Sequence, residues 1–332
     1  MFLDLRVARY QISLSVRQPM ALPAYKGSVL RGGFGSAFRR IACAMRVKTC
    51  AGCDLREMCP YAYVFETTPP TGSEALRNLQ DVPRPFVVEP PGGPEGNETH
   101  YNPGDRLDFG LVLVGRCVGY LPYFVATFRE LGRTGIGPRR AGFELERVSQ
   151  DNLGEAQRGP GQLVVYEGGA VPRQVQAATL DEACLGARFL AARAAGLPSD
   201  RLTVRFLTMT RLTSEERMAT RPDFGVLARA LLRRVSALAY FHHGVRLDLD
   251  YQEMSRLAGE VRLVSDGTAW VDWRRYSNRQ DRLMEFGGLV GTATFEGDLE
   301  PFRELLTLGS FVHVGKGATF GLGRYEVSAS PE

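Results

Sequence analysis

The two halves of this chain contain the same sequence pattern. Residues 128–148 and residues 302–327 each begin with the tetrapeptide FREL and continue through a glycine-rich loop into a strand-like run. Two copies of one pattern in a chain of 332 residues are hard to explain by chance, and they predict two related structural units. The length agrees with this prediction, because a chain of this size usually forms about two domains.

Hydrophobic periodicity gives both units the same order of elements. Alternation over residues 8–16 predicts a half-buried strand, and apolar residues spaced by three or four predict a helix within residues 27–46. A long excursion, a strand, a helix, a glycine loop and a strand follow up to Val148, and a similar order starts again at residue 201. This order predicts an α+β protein of two tandem ferredoxin-like domains, similar to RNA-recognition motifs, with helices on one face of an antiparallel sheet.

The domain limits follow from where these patterns start and stop. We expect a first domain over residues 1–150, with a cysteine-rich insertion near 43–66 and a proline-rich loop at 67–104. Residues 151–200 are expected to connect it to a second domain at 201–332. Within the second domain, the segments WVDWRRYSNRQ and FGGLVGTATFEG predict a hairpin.

Composition and charge restrict the class of protein. Hydrophobic residues make up 44% and charged residues 23% of the chain, as in folded soluble proteins. No apolar run reaches the length of a membrane span, and charged residues near the start argue against a signal peptide, so we expect a cytoplasmic protein without a membrane partner. The net charge of +4 does not by itself require a polyanion. Almost all basic residues are arginines, which suits phosphate contacts, although a GC-rich genome gives the same bias.

The glycine-rich loop at residues 315–323 is the strongest chemical signal. Its glycines allow backbone amides to approach an anion, and Lys316 and Arg324 add positive charge, so the loop predicts a phosphate-bearing ligand. It leads into a strand rather than a helix, which excludes a nucleotide-hydrolysing P-loop. A tight turn that requires positive φ is the alternative, and the duplication favours the ligand. The glycines are Gly315, Gly317, Gly321 and Gly323.

Four segments together resemble a known family. HVGKGATFGLGRYEV, GRTGIGPRRAGFELERV, FLTMTRL and KTCAGCDLREMCPYAYVFET are similar to segments of the CRISPR-associated endoribonucleases of the RAMP superfamily, which process precursor CRISPR RNA. The resemblance spans nearly the whole chain. It implies two ferredoxin-like domains and a role in antiviral defence. It also implies metal-independent cleavage within the CRISPR repeat that leaves a 2′,3′-cyclic phosphate, with the glycine-rich loop next to the cut.

The resemblance also implies binding partners, and one alternative function stays open. Repeat RNA is the implied partner, together with subunits of a CRISPR effector complex. Members of the family commonly carry a histidine in the first helix, but residues 28–46 contain none. The alternative function is therefore a non-catalytic RAMP subunit that holds guide RNA in an effector complex.

The cysteine spacing predicts a metal. A CxxC pair with two further thiols nearby suits tetrahedral zinc, and the irregular outer spacing also permits an iron–sulfur cluster. Free buried thiols are the alternative. The metal would be structural, because four thiolates leave no open position for catalysis, and no catalytic metal is expected. The four cysteines are Cys43, Cys50, Cys53 and Cys59.

Cleavage by transesterification requires a base, an acid and positive charge at the phosphate. His313 lies two residues before the glycine-rich loop and could move protons, although a packing role in a strand is an equal alternative. Tyr25, Lys26 and Arg31 lie at the start of the first helix and are the other candidates, against an ordinary solvated helix start. Lys316 would stabilise charge.

Further arginines are candidates for RNA binding. Arg139 and Arg140 lie in the first glycine loop, and Arg274, Arg275 and Arg279 alternate with aromatic residues in the predicted hairpin. Because alternate residues of a hairpin face opposite ways, about half of the hairpin residues must be structural.

Overall fold

The computed structural model describes most of the chain, namely residues 5–46, 49–69, 82–92, 97–150, 163–169, 184–214, 217–277 and 282–329. The chain divides into two compact units. The N-terminal unit contains Arg6–Leu185 and Phe241–His243, and the C-terminal unit contains Met1–Leu5, Gly186–Tyr240 and Gly244–Glu332. The segment expected to connect two domains is therefore shared between the units, with the division at residue 185.

The N-terminal unit has the predicted order of elements with a few short additions. Its strands and helices are β1 (Val7–Val16), β2 (Met20–Ala21), α1 (Gly27–Ala42), α2 (Pro60–Phe65), β3 (Phe86–Glu89), β4 (His100–Tyr101), β5 (Arg106–Val114), α3 (Leu121–Thr134), β6 (Phe143–Gln150) and β7 (Val164–Glu167). The main sheet has the strand order β3-β5-β1-β6-β7. Strand β1 pairs antiparallel with β5 on one side and with β6 on the other.

Aromatic side chains from both helices fill the core of this unit. Phe34 of α1 lies 4.9 Å from Phe124 and 4.8 Å from Phe128, both on α3, measured between ring centroids. The glycines of α1 allow this close packing, because a Cβ at Gly33 would lie 3.2 Å from Leu131. Close contact with neighbouring side chains thus explains Gly33 and also Gly35, where a Cβ would lie 3.2 Å from Phe65, but not Gly32, which has no atom within 4 Å of such a Cβ.

The C-terminal unit repeats the arrangement. It contains α4 (Ala187–Ala195), β8 (Arg201–Thr210), β9 (Thr213–Ser214), β10 (Arg217–Met218), α5 (Phe224–Leu238), α6 (Tyr251–Glu260), β11 (Arg262–Val271), β12 (Arg274–Ser277), β13 (Arg282–Glu285), β14 (Gly288–Glu296), α7 (Arg303–Val312) and β15 (Tyr325–Ser328). The main sheet has the order β11-β14-β8-β15. Phe224 lies 5.3 Å from Phe295 and 5.1 Å from Phe302, which joins α5 to the sheet and to the start of α7.

Both sheets share one topology. In the N-terminal unit β1 is central, with β5 on one side and β6 on the other, and β3 lies beyond β5. In the C-terminal unit β8 is central, with β14 on one side and β15 on the other, and β11 lies beyond β14. This is the antiparallel order of a ferredoxin-like domain, so the predicted tandem α+β fold is confirmed. No helix among the described residues has the length and apolar character needed to cross a membrane.

Three local predictions differ from the structure. Ile41 and Met45, at the end of the helix predicted within residues 27–46, are exposed because α1 ends at Ala42 and its last turn lies beyond the core. The predicted hairpin is present, since Trp270 and Val271 pair with Leu289 and Gly288, but its first arm begins earlier, at Arg262, and is divided into β11 and β12. His313 ends α7 and does not lie in a strand.

Candidate functional site

The second glycine-rich loop joins α7 to β15, and its fold depends on glycine. Gly315, Gly317, Gly321 and Gly323 all have positive φ angles, between 72° and 84°. A Cβ at Gly315 would collide with the carbonyl oxygen of Arg211, and a Cβ at Gly323 with that of Val314. The glycines are therefore required by the backbone conformation itself.

Several amides of this loop donate within the protein. The N–H of Val314 donates to Gly323 at 3.0 Å, that of Lys316 to Arg211 at 3.0 Å and that of Gly323 to Met209 at 3.2 Å, each to the carbonyl oxygen. These amides are not available to a phosphate. The side chains of Lys316, which is exposed, and Arg324, which is half-buried, are the groups that can carry charge to a ligand here.

His313 lies inside the C-terminal unit. Its side chain is fully buried, and Nδ1 lies 3.0 Å from the carbonyl oxygen of Leu322 across the loop. The residue has a φ of 63°, so it also makes the turn from α7 into the loop. This arrangement gives His313 a packing role that holds the glycine-rich loop against the end of α7.

The first glycine loop joins α3 to β6 in the same manner. Gly135 and Gly137 have φ angles of 76° and 75°, and Ile136 pairs with Ala141 across the turn. Arg139 and Arg140 are both exposed at the tip of this loop. Their guanidinium groups are therefore placed where a phosphate backbone could reach them.

Tyr25 and Lys26 immediately precede α1 and lie in a poorly solvated environment. Lys26 is fully buried, its Nζ donates to the carbonyl oxygen of Ala24 at 3.3 Å, and it lies 5.9 Å from the ring centroid of Tyr101. Burial lowers the pKa of Lys26, and the negative charge of Glu98 opposes part of that shift. Burial raises the pKa of Tyr25 well above its usual value. Two adjacent proton-carrying groups are thus shifted in opposite directions.

Arg31 lies one turn into α1. It is half-buried, and its guanidinium carbon lies 5.2 Å from the ring centroid of Phe65 on α2. This cation–π contact fixes the side chain against α2. Arg31 thus lies in the helix that Tyr25 and Lys26 directly precede.

The cysteine prediction finds no support in the geometry. Cys43, Cys50, Cys53 and Cys59 are partly exposed free thiols. Burial is the main cause that raises the pKa of Cys50, with smaller contributions from Glu66 and from the neighbouring thiols of Cys59 and Cys43. Among the described residues, no three His, Cys, Asp or Glu side chains are grouped so as to hold a metal ion.

The arginines of the predicted hairpin are only partly described. Arg274 is exposed at the start of β12. Arg275 lies on the same strand, but its side chain lies outside the described residues, as does all of Arg279.

His242, which is not among the candidate residues named from the sequence, is fully buried in the N-terminal unit. Its Nε2 lies 2.7 Å from the carbonyl oxygen of Pro83, and its Nδ1 lies 3.2 Å from the hydroxyl of Tyr63. Residues Ala239–His243 form a π-helical turn that brings this side chain into position. The run of aromatic residues next to the histidine pair was the only sequence signal for this burial.

Comparison of the sequence with family models gives two matches. A model described as an N-terminal domain matches residues 5–180, and a model described as CRISPR-associated endoribonuclease Cas6 matches residues 204–325. All but residue 5 of the first match lies in the N-terminal unit, and all but Phe241–His243 of the second lies in the C-terminal unit. No curated protein matches the chain.

Solved structures give the same result for the fold. A Cas6 product complex is 18% identical, with a TM-score of 0.57 over 98% of this chain and 100% of that chain. Cas6 of Thermus thermophilus is 16% identical, with a TM-score of 0.53 over 98% of this chain and 99% of that one. A partial complex of Cas6-RT-Cas1 with Cas2 is 12% identical, with a TM-score of 0.53 over 99% of this chain and 47% of that chain. These similarities extend over both units.

Proposed function

Because this chain belongs to the family of CRISPR-associated endoribonucleases named Cas6, we propose that it binds precursor CRISPR RNA and cuts it within each repeat. The proposed reaction is a transesterification that needs no metal and leaves a 2′,3′-cyclic phosphate. The observation that carries the catalytic assignment is the pair Tyr25 and Lys26, whose pKa values are shifted in opposite directions by burial at the start of α1.

The two side chains differ in what they can do at neutral pH. A lysine with a lowered pKa has a larger neutral fraction and can accept a proton. A tyrosine is protonated at neutral pH and can donate a proton, although its raised pKa makes it a weaker acid. Lys26 is therefore the proposed base for the 2′-hydroxyl, and Tyr25 the proposed acid for the leaving oxygen. This division of roles does not need the first-helix histidine that residues 28–46 lack.

The step balances without a metal or a further reactant. The 2′-oxygen attacks the adjacent phosphorus, so that an O2′–P bond forms while the P–O5′ bond breaks. The proton of the 2′-hydroxyl passes to the Lys26 amine, and the Tyr25 hydroxyl gives its proton to O5′. The products carry a 2′,3′-cyclic phosphate and a 5′-hydroxyl, and a proton transfer from Lys26 to Tyr25 restores the enzyme. Arg31, on the same helix, is the proposed cation that offsets charge at the phosphorus.

Access to the Lys26 amine requires a small local movement. The amine donates to the carbonyl of Ala24, which is itself an exposed residue. We propose that RNA binding displaces the segment at Pro23 and Ala24 and exposes the amine.

Positive charge in each unit is proposed to contact RNA phosphates. Lys316 lies within the second glycine-rich loop and Arg324 directly after it, and Arg139 and Arg140 lie at the tip of the first loop. Phosphate contacts of this kind fix the register of an RNA without selecting its sequence. Arg274 is exposed and is proposed to add to this surface, as are Arg275 and Arg279, whose side chains lie outside the described residues.

The test is single-turnover cleavage of the CRISPR repeat in EDTA, with the product ends identified. Wild-type protein should give one cut and a 2′,3′-cyclic phosphate. Lys26→Met and Tyr25→Phe should each slow cleavage by about 10²- to 10⁴-fold, the range of general acid–base catalysis. Arg40→Met, on the exposed face of the same helix, is the matched control and should cut at the wild-type rate.

Two outcomes contradict the proposal. Tight repeat binding without any cut would favour the guide-holding RAMP subunit of an effector complex. Cleavage at the wild-type rate by folded Lys26→Met would remove the base from this site and leave His313 as the remaining candidate.

A structural zinc stays a prediction from the cysteine spacing alone. Elemental analysis of the purified protein tests it. About one zinc per chain, lost from Cys50→Ser with Cys53→Ser, would support the prediction, whereas a metal-free wild type would contradict it.

A further inference from the structure

Trp270 is a large aromatic side chain on the protein surface. It lies near the end of β11, and 37% of it is exposed. It pairs with Leu289 of β14, which is buried, so the two side chains share the core-facing side of the sheet. Trp270 therefore continues that face beyond the core. Complete burial of a tryptophan side chain would contribute more to the stability of the fold, so the partial exposure of Trp270 needs an explanation.

The indole of Trp270 is fixed in orientation. Its Nε1 donates to the carboxylate of Asp272 at 2.9 Å. Gly287 lies directly against the ring system, since a Cβ at that position would lie 3.0 Å from Nε1. The hydrogen bond and the glycine together hold the ring without covering all of it, so little entropy would be lost when a flat ligand stacks on it.

Two exposed arginines are associated with this part of the chain. Arg274 follows Trp270 by four residues and begins β12. Arg221 is 80% exposed and forms an ion pair with Asp266, with 3.8 Å between the charged atoms. Asp266 is on the same face of β11 as Trp270, about 13 Å away along the strand. These two arginines are the candidates for contact with RNA phosphates.

We propose that Trp270 is a stacking platform for one unpaired base of the RNA, with Arg221 and Arg274 contacting the neighbouring phosphates. The inference rests on the proposed function, because it assumes that RNA is the ligand. A single exposed ring suits an unpaired base, since bases within a duplex already stack on one another. Stacking is tolerant of base identity, so the platform would recognise single-stranded character rather than sequence.

Intrinsic fluorescence gives a direct test, because the chain contains two tryptophans. Trp273 packs against Phe286, with 5.2 Å between ring centroids. The variant Trp273→Phe leaves Trp270 as the only tryptophan, whose emission can be excited selectively over that of the tyrosines. This variant is titrated with repeat RNA that carries a 2′-deoxy nucleotide at the cut and therefore stays intact. RNA with unpaired nucleotides should quench the fluorescence, and a fully paired RNA duplex should not.

Affinity measurements complete the test. Trp270→Ala should weaken binding by about 5- to 150-fold, which corresponds to about 1–3 kcal/mol for one stacked base. Trp270→Phe should retain most of the affinity, because an aromatic ring remains. Val271→Ala is the matched control, since Val271 is similarly exposed on the opposite face of β11, and it should bind as the wild type does.

The outcomes separate this inference from the proposed function. Tight RNA binding that neither quenches Trp270 nor depends on it would overturn the platform and leave the proposed function intact. Equal quenching by the duplex would overturn the preference for an unpaired base. Failure of the wild-type protein to bind repeat RNA would overturn both.

Discussion

The imidazole of His313 lies 3.0 Å from the carbonyl oxygen of Leu322, so one side chain connects the end of α7 to the far side of the glycine-rich loop. Because the ring is fully buried, its loss leaves a cavity and an unpaired carbonyl group. We expect His313→Ala to lower the free energy of unfolding by about 2–4 kcal/mol. Denaturant unfolding measures this. A cleavage rate that falls more than 100-fold in protein of unchanged stability would instead assign His313 to the chemistry.

Substitution of a glycine in the same loop tests whether the backbone conformation of the loop requires glycine. Gly323→Ala adds a Cβ that collides with the carbonyl oxygen of Val314 at a φ of 72°, so we expect a loss of more than about 2 kcal/mol of stability. Gly259→Ala is the matched control on α6, where no atom lies within 4 Å of the added Cβ. It should gain about 0.5–1 kcal/mol, because alanine favours a helix over glycine. Equal effects of both substitutions would contradict the backbone argument.

Charge at the second glycine-rich loop should control RNA affinity. Replacing Lys316 and Arg324 together with alanine removes two cations, so the slope of log affinity against log salt should fall by about 1.5 in magnitude. Filter binding over a range of salt concentrations measures it. Arg256→Ala is the control, since Arg256 is bound to Glu253 and Glu260 on α6. An unchanged slope for the double variant would place the RNA elsewhere.

The lowered pKa of Lys26 predicts the direction in which the cleavage rate and the folding stability change with pH. The base must be neutral, so the cleavage rate should rise with pH and level off at a value below the usual lysine pKa of 10.5. Between the lowered pKa of Lys26 in the folded protein and its usual value of 10.5, the unfolded chain binds more protons than the folded one. Folding stability therefore also rises with pH over this range. Lys26→Met should abolish both trends without lowering stability at neutral pH, because it replaces a buried amine with an apolar chain of similar length. RNA incubated without protein corrects for its own alkaline hydrolysis.

His242 should matter for the stability of the N-terminal unit. Both ring nitrogens have partners, so His242→Ala removes the hydrogen bonds to the carbonyl of Pro83 and to the hydroxyl of Tyr63, at a cost of about 2–4 kcal/mol. Tyr63→Phe removes the bonds of the Tyr63 hydroxyl to His242 and Arg116 but keeps the bond from His242 to Pro83, and it should cost about 1–2 kcal/mol. Thermal unfolding of both variants checks the order, and a larger effect for Tyr63→Phe would contradict it.

The tandem fold could be predicted because its signals are local and repeated. Alternation over Val7–Val16 and the spacing of Leu30, Phe34 and Phe38 depend only on which face is buried. The missed start of β11 has a physical reason. This edge strand is largely exposed, so its sequence shows little alternation of polar and apolar residues.

The site was harder to predict, because burial depends on distant residues. Nothing in the segment YKGS shows that Lys26 is fully buried, since that burial depends on packing with residues such as Tyr101 far along the chain. The same limit applies to His313, whose partner Leu322 lies across the loop. Spacing alone indicated the glycine loops, but their amides proved to be bonded internally.

The central position of β8 affects how the protein is made. The residues of β14 and β15 that pair with β8 lie 79 or more residues later in the chain, and β15 is the last strand described. During synthesis, β8 leaves the ribosome with both edges unpaired and waits several seconds for its neighbours at about 5–20 residues per second. An unpaired apolar strand can associate with other chains during that interval, so low temperature or chaperones should increase the yield of soluble protein.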